Sequence, residues 1–245
     1  MDPNGKVALI TGGARIGKTV AEALAGKGCS LIITYRGSRL SAEETVLNAQ
    51  QQGVRAVAVQ ADLTVEKDIL SLFQEVERRF GGLDILINMA SLYKKILPEA
   101  HDLTVWQENL AANLQNAYLL SLKAAPLMRK QGRGRIINFS DWLAASGRPR
   151  YKQYVPYYVA KRGVLGLTEG LALELAPEIL VNAIAPGPIL RPPELSAEEE
   201  EEVRRATPLQ RWGGGEEIAK AVLFLIETDF ITGECIRVDG GRHLY

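Results

Sequence analysis

The chain has 245 residues, 47% of them hydrophobic, and its 29 basic side chains are balanced by 29 acidic ones. That length and composition can bury a large core, so residues 1–245 are read as one α/β domain, and the zero net charge without a basic stripe leaves no electrostatic footprint for a nucleic-acid partner. No apolar run nears the roughly twenty residues of a membrane span or makes a signal-peptide core, so no membrane partner, a cytoplasmic location and a small-molecule substrate are expected.

Short apolar, β-branched runs alternate with helical patterns along the chain. The strand candidates are VALIT (7–11), LIITY (31–35), AVAVQ (56–60), DILIN (84–88), RIINF (135–139), VNAIA (181–185) and CIRVD (235–239). Continuous apolar strands separated by helices predict a doubly wound parallel sheet of about seven strands, which binds ligands at the carboxyl ends of its strands. Cys29 and Cys235 sit in such runs without a partner at metal-ligand spacing, and are read as buried reduced thiols.

Directly after the first strand comes GGARIGKT (12–19), which satisfies two motifs. As a P-loop it would cradle a nucleotide triphosphate, with Lys18 on the terminal phosphates, Thr19 on magnesium, and Asp62 or Asp141 as the distant metal carboxylate. As a dinucleotide turn it would bring glycine backbone close to a pyrophosphate at a helix N-terminus. The turn alone leaves both readings open.

The end of the second strand bears on cofactor choice. Enzymes selective for NAD usually place an acid there, whereas SLIITYRGSRL (30–40) has none. Arg36 and Arg39 complement a 2′-phosphate and Ser38 can donate to it, so NADPH is expected over NADH.

Farther on, YYVAKRGVLGLTEGLALELA reads as a helix, and the i, i+4 spacing puts Tyr157 and Lys161 on one face. A phenol with an unperturbed pKa near 10 is a poor acid-base group at neutral pH, and the neighbouring ammonium is expected to lower that value. In the proline-rich segment beyond, Glu198 to Glu202 read either as a solvated first helical turn or as part of a mobile lid.

Taken in order, TGGARIG, AVQADL, INMAS, Asn113 in ANLQNAYL, NFSDW, Y-x-x-x-K, VNAIAPGPI and FITGECIRVDGG resemble the short-chain dehydrogenase/reductase family over essentially the whole chain. The resemblance implies a Rossmann-type sheet, an NAD(P) cofactor, a homotetramer, and a Tyr157–Lys161 pair assisted by Asn113 through a held water. It carries cofactor contacts onto Gly12, Arg15, Ile16, Asp62, Leu63, Asn88, Ala90, Ser140, Pro186, Gly187 and Ile189, beside Arg36, Ser38, Tyr157 and Lys161. The family's first turn usually runs TGxxxGxG. Here it is one residue shorter, the middle glycine is lost, and Lys18 stands where the last would be.

The second departure concerns substrate. An ungapped alignment of INFSDW puts Asp141 where the family usually carries its catalytic serine, with Ser140 just before it. A carboxylate accepts hydrogen bonds and repels a developing oxyanion, so Asp141 suits a substrate that presents N–H groups. The pattern resembles the pteridine and dihydromonapterin reductases, with Arg15, the ending DGGRHL, and NMASLY pointing the same way; that resemblance implies Ser91 and Tyr93 as substrate contacts. The expected reaction is reduction of a dihydropterin C=N bond, with Tyr157 as proton donor. Other readings are a carbonyl reductase acting on a 3-oxoacyl thioester, a P-loop triphosphatase, and a non-catalytic NADP-binding regulator. Asp141 could also cap the next element or pair with Arg148 or Arg150, leaving the work to Ser140. Trp142 is read as packing, His243 as structural or exposed, and ASGRPRYKQYVP (145–156) as a local insertion at the substrate mouth.

Overall fold

The computed structural model describes residues 1–97, 99, 102–193 and 195–244. Seven strands, β1 (Val7–Thr11), β2 (Ser30–Tyr35), β3 (Ala56–Gln60), β4 (Ile85–Asn88), β5 (Gly134–Phe139), β6 (Ile179–Pro186) and β7 (Cys235–Val238), form one parallel sheet in the order 3-2-1-4-5-6-7. The order reverses between β1 and β4, and the crevice at such a reversal is where doubly wound sheets bind ligands.

Period-two alternation divides the core between the two faces of the sheet. Ile10, Ile33 and Ile87 point toward α1 (Ile16–Gly26), α2 (Arg39–Gln51) and α9 (Gly215–Glu227), where they meet Val20, Leu24 and Val222. Leu9, Ile32, Leu86 and Ile136 point the other way, toward α3 (Glu66–Phe80), α5 (Asn116–Lys130) and α7 (Val155–Leu175), and pack on Leu72, Leu120 and Leu171. Both faces are covered, which is why the strands read as unbroken apolar runs.

Register brings the functional ends together. Thr11 of β1 pairs with Thr34 and Asn88, and Asn88 pairs with Asn138, so the carboxyl ends of β1, β2, β4 and β5 lie level. The remaining helices are α4 (Leu103–Leu110), α6 (Trp142–Ser146) and α8 (Ala197–Arg205). Ser196 and Glu199 form a reciprocal capping box on α8, and Glu198 to Glu200 occupy its first turn, where the helix dipole favours them. Among the described residues, no helix is long and apolar enough to cross a membrane. Both cysteines are free, and burial pushes their thiols up to about 12 and about 11, far from the thiolate form.

Candidate active site

The turn after β1 explains its own glycines. Gly12 has φ +82°, a left-handed conformation open to glycine, and a Cβ on Gly13 would lie 2.0 Å from Ile33 Cγ2. A Cβ on Gly17 would lie 2.0 Å from the Gly12 carbonyl oxygen. Gly17, and not Lys18, therefore fills the last glycine position, and the shortened turn keeps its close helix contact. Thr45 on α2 donates to the Gly13 carbonyl at 3.1 Å and ties the turn down.

Lys18 departs from a phosphate-binding lysine, because its ammonium is 2.7 Å from Glu44 on α2. Thr19 packs its hydroxyl against α9, where a Cβ on Gly215 would come within 2.6 Å of it. Neither side chain is turned to the duty that a P-loop assigns it.

Beside the turn is a cleft of about 400 Å³. Of the expected cofactor residues, Gly12, Arg36, Ser38, Asp62, Leu63 and Ala90 line it, together with Ser91. Asp62 accepts from the backbone N–H and hydroxyl of Thr64 at 3.0 and 2.7 Å; these bonds, with Arg36 at 3.9 Å, lower its pKa from the ordinary carboxylate value. Ser38 is the N-cap of α2 yet makes no side-chain cap bond, so its hydroxyl is available to a ligand. Arg39 is drawn aside by Glu43 at 2.7 Å.

The other expected cofactor residues fall outside the lining of this cleft. Arg15 (φ +54°) and Ile16 start α1 outside the lining of the cleft. Pro186 ends β6, Gly187 is pressed against Asp239, and Ile189 is buried in the core. Asn88 turns inward and donates to Asn138 at 2.9 Å, because its place at the end of a central strand points its side chain into the sheet's helix layer. Ser140 is buried and its hydroxyl donates to the Lys161 carbonyl at 2.8 Å, fastening α7 to β5. That bond removes it from competition for the catalytic serine position.

Asp141 takes that position with one carboxylate oxygen for each of two tasks. Oδ1 accepts the Leu143 N–H at 2.8 Å and caps α6, while Oδ2 accepts the Tyr157 hydroxyl at 3.1 Å. The carboxylate thus caps α6 and contacts the Tyr157 hydroxyl at the same time. Burial raises the pKa of Asp141 above the usual carboxylate range, against the opposing pull of Leu143, Tyr157 and Lys161.

Tyr157 and Lys161 belong to the buried stripe of α7, with Ala160, Val164, Thr168 and Leu171. The Lys161 ammonium is 5.8 Å from the centre of the Tyr157 ring and donates to the Phe139 carbonyl at 2.8 Å. The expected lowering of the phenol pKa is reversed. Burial first, and Asp141 second, hold Tyr157 well above its ordinary value, so it is a protonated donor. Lys161 is itself pushed down to about 8 by burial, with Asp141 pulling the other way.

Asn113 sits in a π-helical turn, Ala111–Gln115, and is buried. Its Oδ1 accepts from the Ser91 hydroxyl at 2.7 Å and the Leu92 N–H at 2.9 Å, and its Nδ2 donates to the carbonyls of Leu92 and Asn109. The side chain of Asn113 grips the loop that carries Ser91 and Tyr93.

Tyr93 is exposed and stacks on Tyr154, with ring centres 4.6 Å apart, and meets Tyr157 edge-on at 4.9 Å. These rings wall a second cavity of about 260 Å³ whose lining includes Asp141, Arg150, Tyr151 and Tyr158. Segment 145–156 thus contributes Pro149, Arg150, Tyr151, Tyr154 and Val155 to the wall. Trp142 is buried, as expected, and lies under the guanidinium groups of Arg150 and Arg242. His243 is anchored structurally, with Nδ1 2.8 Å from Asp239.

Sequence reasoning missed Thr11, whose hydroxyl accepts the N–H groups of Met89 and Ala90 at 2.9 and 3.0 Å and shapes the floor of the cleft. The threonine preceding the glycine pair was the available signal. It also missed Tyr154, which no motif marks.

Residues 13–243 match the family profile named enoyl-(acyl carrier protein) reductase. The chain is 39% identical to the 3-oxoacyl-(acyl-carrier-protein) reductase FabG of Aquifex aeolicus over 97% of each chain. It is 36% identical to FabG of Staphylococcus aureus over 98% of each. Among solved structures, FolM alternative dihydrofolate reductase 1 of Brucella canis, complexed with NADP, superposes with a TM-score of 0.90 at 33% identity, covering 100% of this chain and 97% of that one.

Proposed function

The chain belongs to the short-chain dehydrogenase/reductase family of oxidoreductases, and from that premise we propose an NADPH-dependent reductase acting on a C=N bond in a flat, dihydropterin-like ring. The observation that carries this reading is the 3.1 Å contact between Tyr157 and Asp141, an acceptor where a carbonyl reductase needs a donor.

The cleft suits the cofactor. Gly12 and Gly13 leave no side chain between backbone and a pyrophosphate, while Arg36 and Ser38 offer a cation and a hydroxyl to a 2′-phosphate. When bound, NADPH supplies a hydride.

The protein's own groups then manage the proton. Tyr157, held protonated by burial, gives its proton to the ring nitrogen beside the reduced carbon. Lys161, at 5.8 Å, offsets the phenolate charge that develops. Asp141 accepts N–H groups of the ring while ionised, and after the transfer its raised proton affinity lets it take a proton from solvent and pass it to the Tyr157 phenolate. Tyr93 provides a flat apolar face beside the reacting position.

The relatives' names favour a second reading better than the first: reduction of a 3-oxoacyl thioester, as FabG is named for. Tyr157 and Lys161 would serve that chemistry unchanged. NADPH oxidation with 7,8-dihydrobiopterin offered beside an acetoacetyl thioester separates the two, and turnover of the thioester alone defeats the C=N reading. The homotetramer that the family resemblance implies would find apolar contact surface in exposed Tyr118 and Leu122 on α5, and light scattering tests it.

A further inference from the structure

We infer that the substrate carries an anionic tail, a carboxylate or phosphate, and that Arg150 receives it. The inference rests on the reductase site proposed above and names what lies beyond the reacting group.

Two loops meet at the mouth of the aromatic cavity. The Ile96 N–H donates to the Gln153 carbonyl at 2.9 Å, and Tyr93 stacks on Tyr154. These loops carry Lys94, Lys95, Arg148, Arg150 and Lys152, all exposed. None of the five has an ion-pair partner among the described residues. Lys18, Arg39, Arg78 and Arg204 are each held by a carboxylate, whereas other exposed cations without such a partner, among them Arg15, Lys67 and Arg129, are scattered over the surface and do not gather at one cavity. In a chain of zero net charge, five unmatched cations beside a catalytic cavity create a local positive field that draws in anions.

Arg150 is distinguished from the other four. It lines the cavity, and its guanidinium lies 5.8 Å from the centre of the Trp142 ring. A guanidinium held over an indole keeps its N–H edge free for a carboxylate or phosphate. The cavity thus has a proton-handling end at Asp141 and Tyr157, aromatic walls, and a cationic end at Arg150. That sequence of surfaces matches a flat uncharged body with an anion on its far side.

The test uses matched substrates at low salt. One pair is 7,8-dihydrobiopterin, with a neutral side chain, and 7,8-dihydrofolate, with two carboxylates; the other is the N-acetylcysteamine and coenzyme A thioesters of acetoacetate. The anionic member is expected to have a kcat/KM about tenfold higher or more, through KM, with the advantage shrinking in about 0.3 M salt. Arg150→Gln is expected to bring the ratio of anionic to neutral substrate close to one. The double variant R148Q/K152Q is expected to reduce it partially.

Equal kcat/KM for both members of the pair that turns over, or a ratio unmoved by Arg150→Gln, overturns the inference. Turnover of thioesters without pterins would defeat the C=N reading and leave the tail to be judged on the thioester pair. If nothing turns over, dissociation constants of the two pterins for the NADP-loaded protein give the same ratio, and absence of binding by both overturns it.

Discussion

The Tyr157 hydroxyl donates to Asp141 Oδ2 across 3.1 Å, while the other oxygen of the same carboxylate closes the first turn of α6. One side chain is thereby both a structural cap and the partner of the Tyr157 hydroxyl. Removing the phenol hydroxyl leaves the cap in place. Tyr157→Phe is expected to lower kcat by about 10³-fold, as loss of a general acid does, with NADPH affinity, followed by fluorescence titration, changed little.

Asp141→Ser separates the substrate classes. Serine is itself a good N-cap, so the variant should keep its fold, whereas Asp141→Ala should cost about 1 kcal/mol in denaturant unfolding. A pterin-reducing enzyme loses turnover in the serine variant, and a carbonyl-reducing one keeps or gains it. Unimpaired pterin turnover would remove Asp141 from the proton pathway.

The pH profile follows from Lys161, which is pushed down to about 8. Activity that needs the ammonium is present below that pH and lost above it, so kcat/KM should fall as pH rises through about 8. The Asp141 charge raises the proton affinity of Lys161. Its removal in Asp141→Asn should therefore move the alkaline limb to lower pH in whatever turnover remains.

Cofactor selection is expected to reside in Arg36, which lines the cleft, more than in Arg39, which is held by Glu43. Arg36→Ala should weaken NADPH binding about tenfold or more, the worth of a charge-assisted hydrogen bond, and leave NADH almost unchanged. Arg39→Ala should have a small effect on either. Equal losses for both cofactors would mean that Arg36 supports the cleft without reading the phosphate.

The glycine turn gives a contrasting pair. Lys18→Ala should leave NADPH oxidation within about twofold, since it removes an exposed ion pair of small worth. Gly17→Ala should impair cofactor binding, because the new methyl would lie 2.0 Å from the Gly12 carbonyl oxygen. Loss of phosphate binding in Lys18→Ala would revive the P-loop reading.

The strands were legible because burial on both faces writes them as continuous β-branched runs. Boundaries missed by a residue or two where backbone pairing outlasts that pattern, as in β6, which spans Ile179–Pro186. Tyr157 and Lys161 were legible from helical spacing, and Asp141 from its place after β5. The direction of the Tyr157 shift was not, because spacing reveals the ammonium but not the burial that outweighs it. The contacts of Asn113 were not legible for a related reason. The π turn and the Ser91–Leu92 loop it grips are distant in sequence, and no local pattern joins them. Tyr93 and Tyr154 likewise meet only through the fold.

The paired fastening of β5 to α7, Ser140 hydroxyl to Lys161 carbonyl and Lys161 ammonium to Phe139 carbonyl, each at 2.8 Å, brackets the reacting pair from both sides. Everything between, from α6 through the arginine-rich loop to Tyr154, hangs from that bracket as a detachable jaw. Its length and lining can be exchanged without moving Tyr157. A lineage, or an engineer, could thus change what is gripped while keeping how it is reduced.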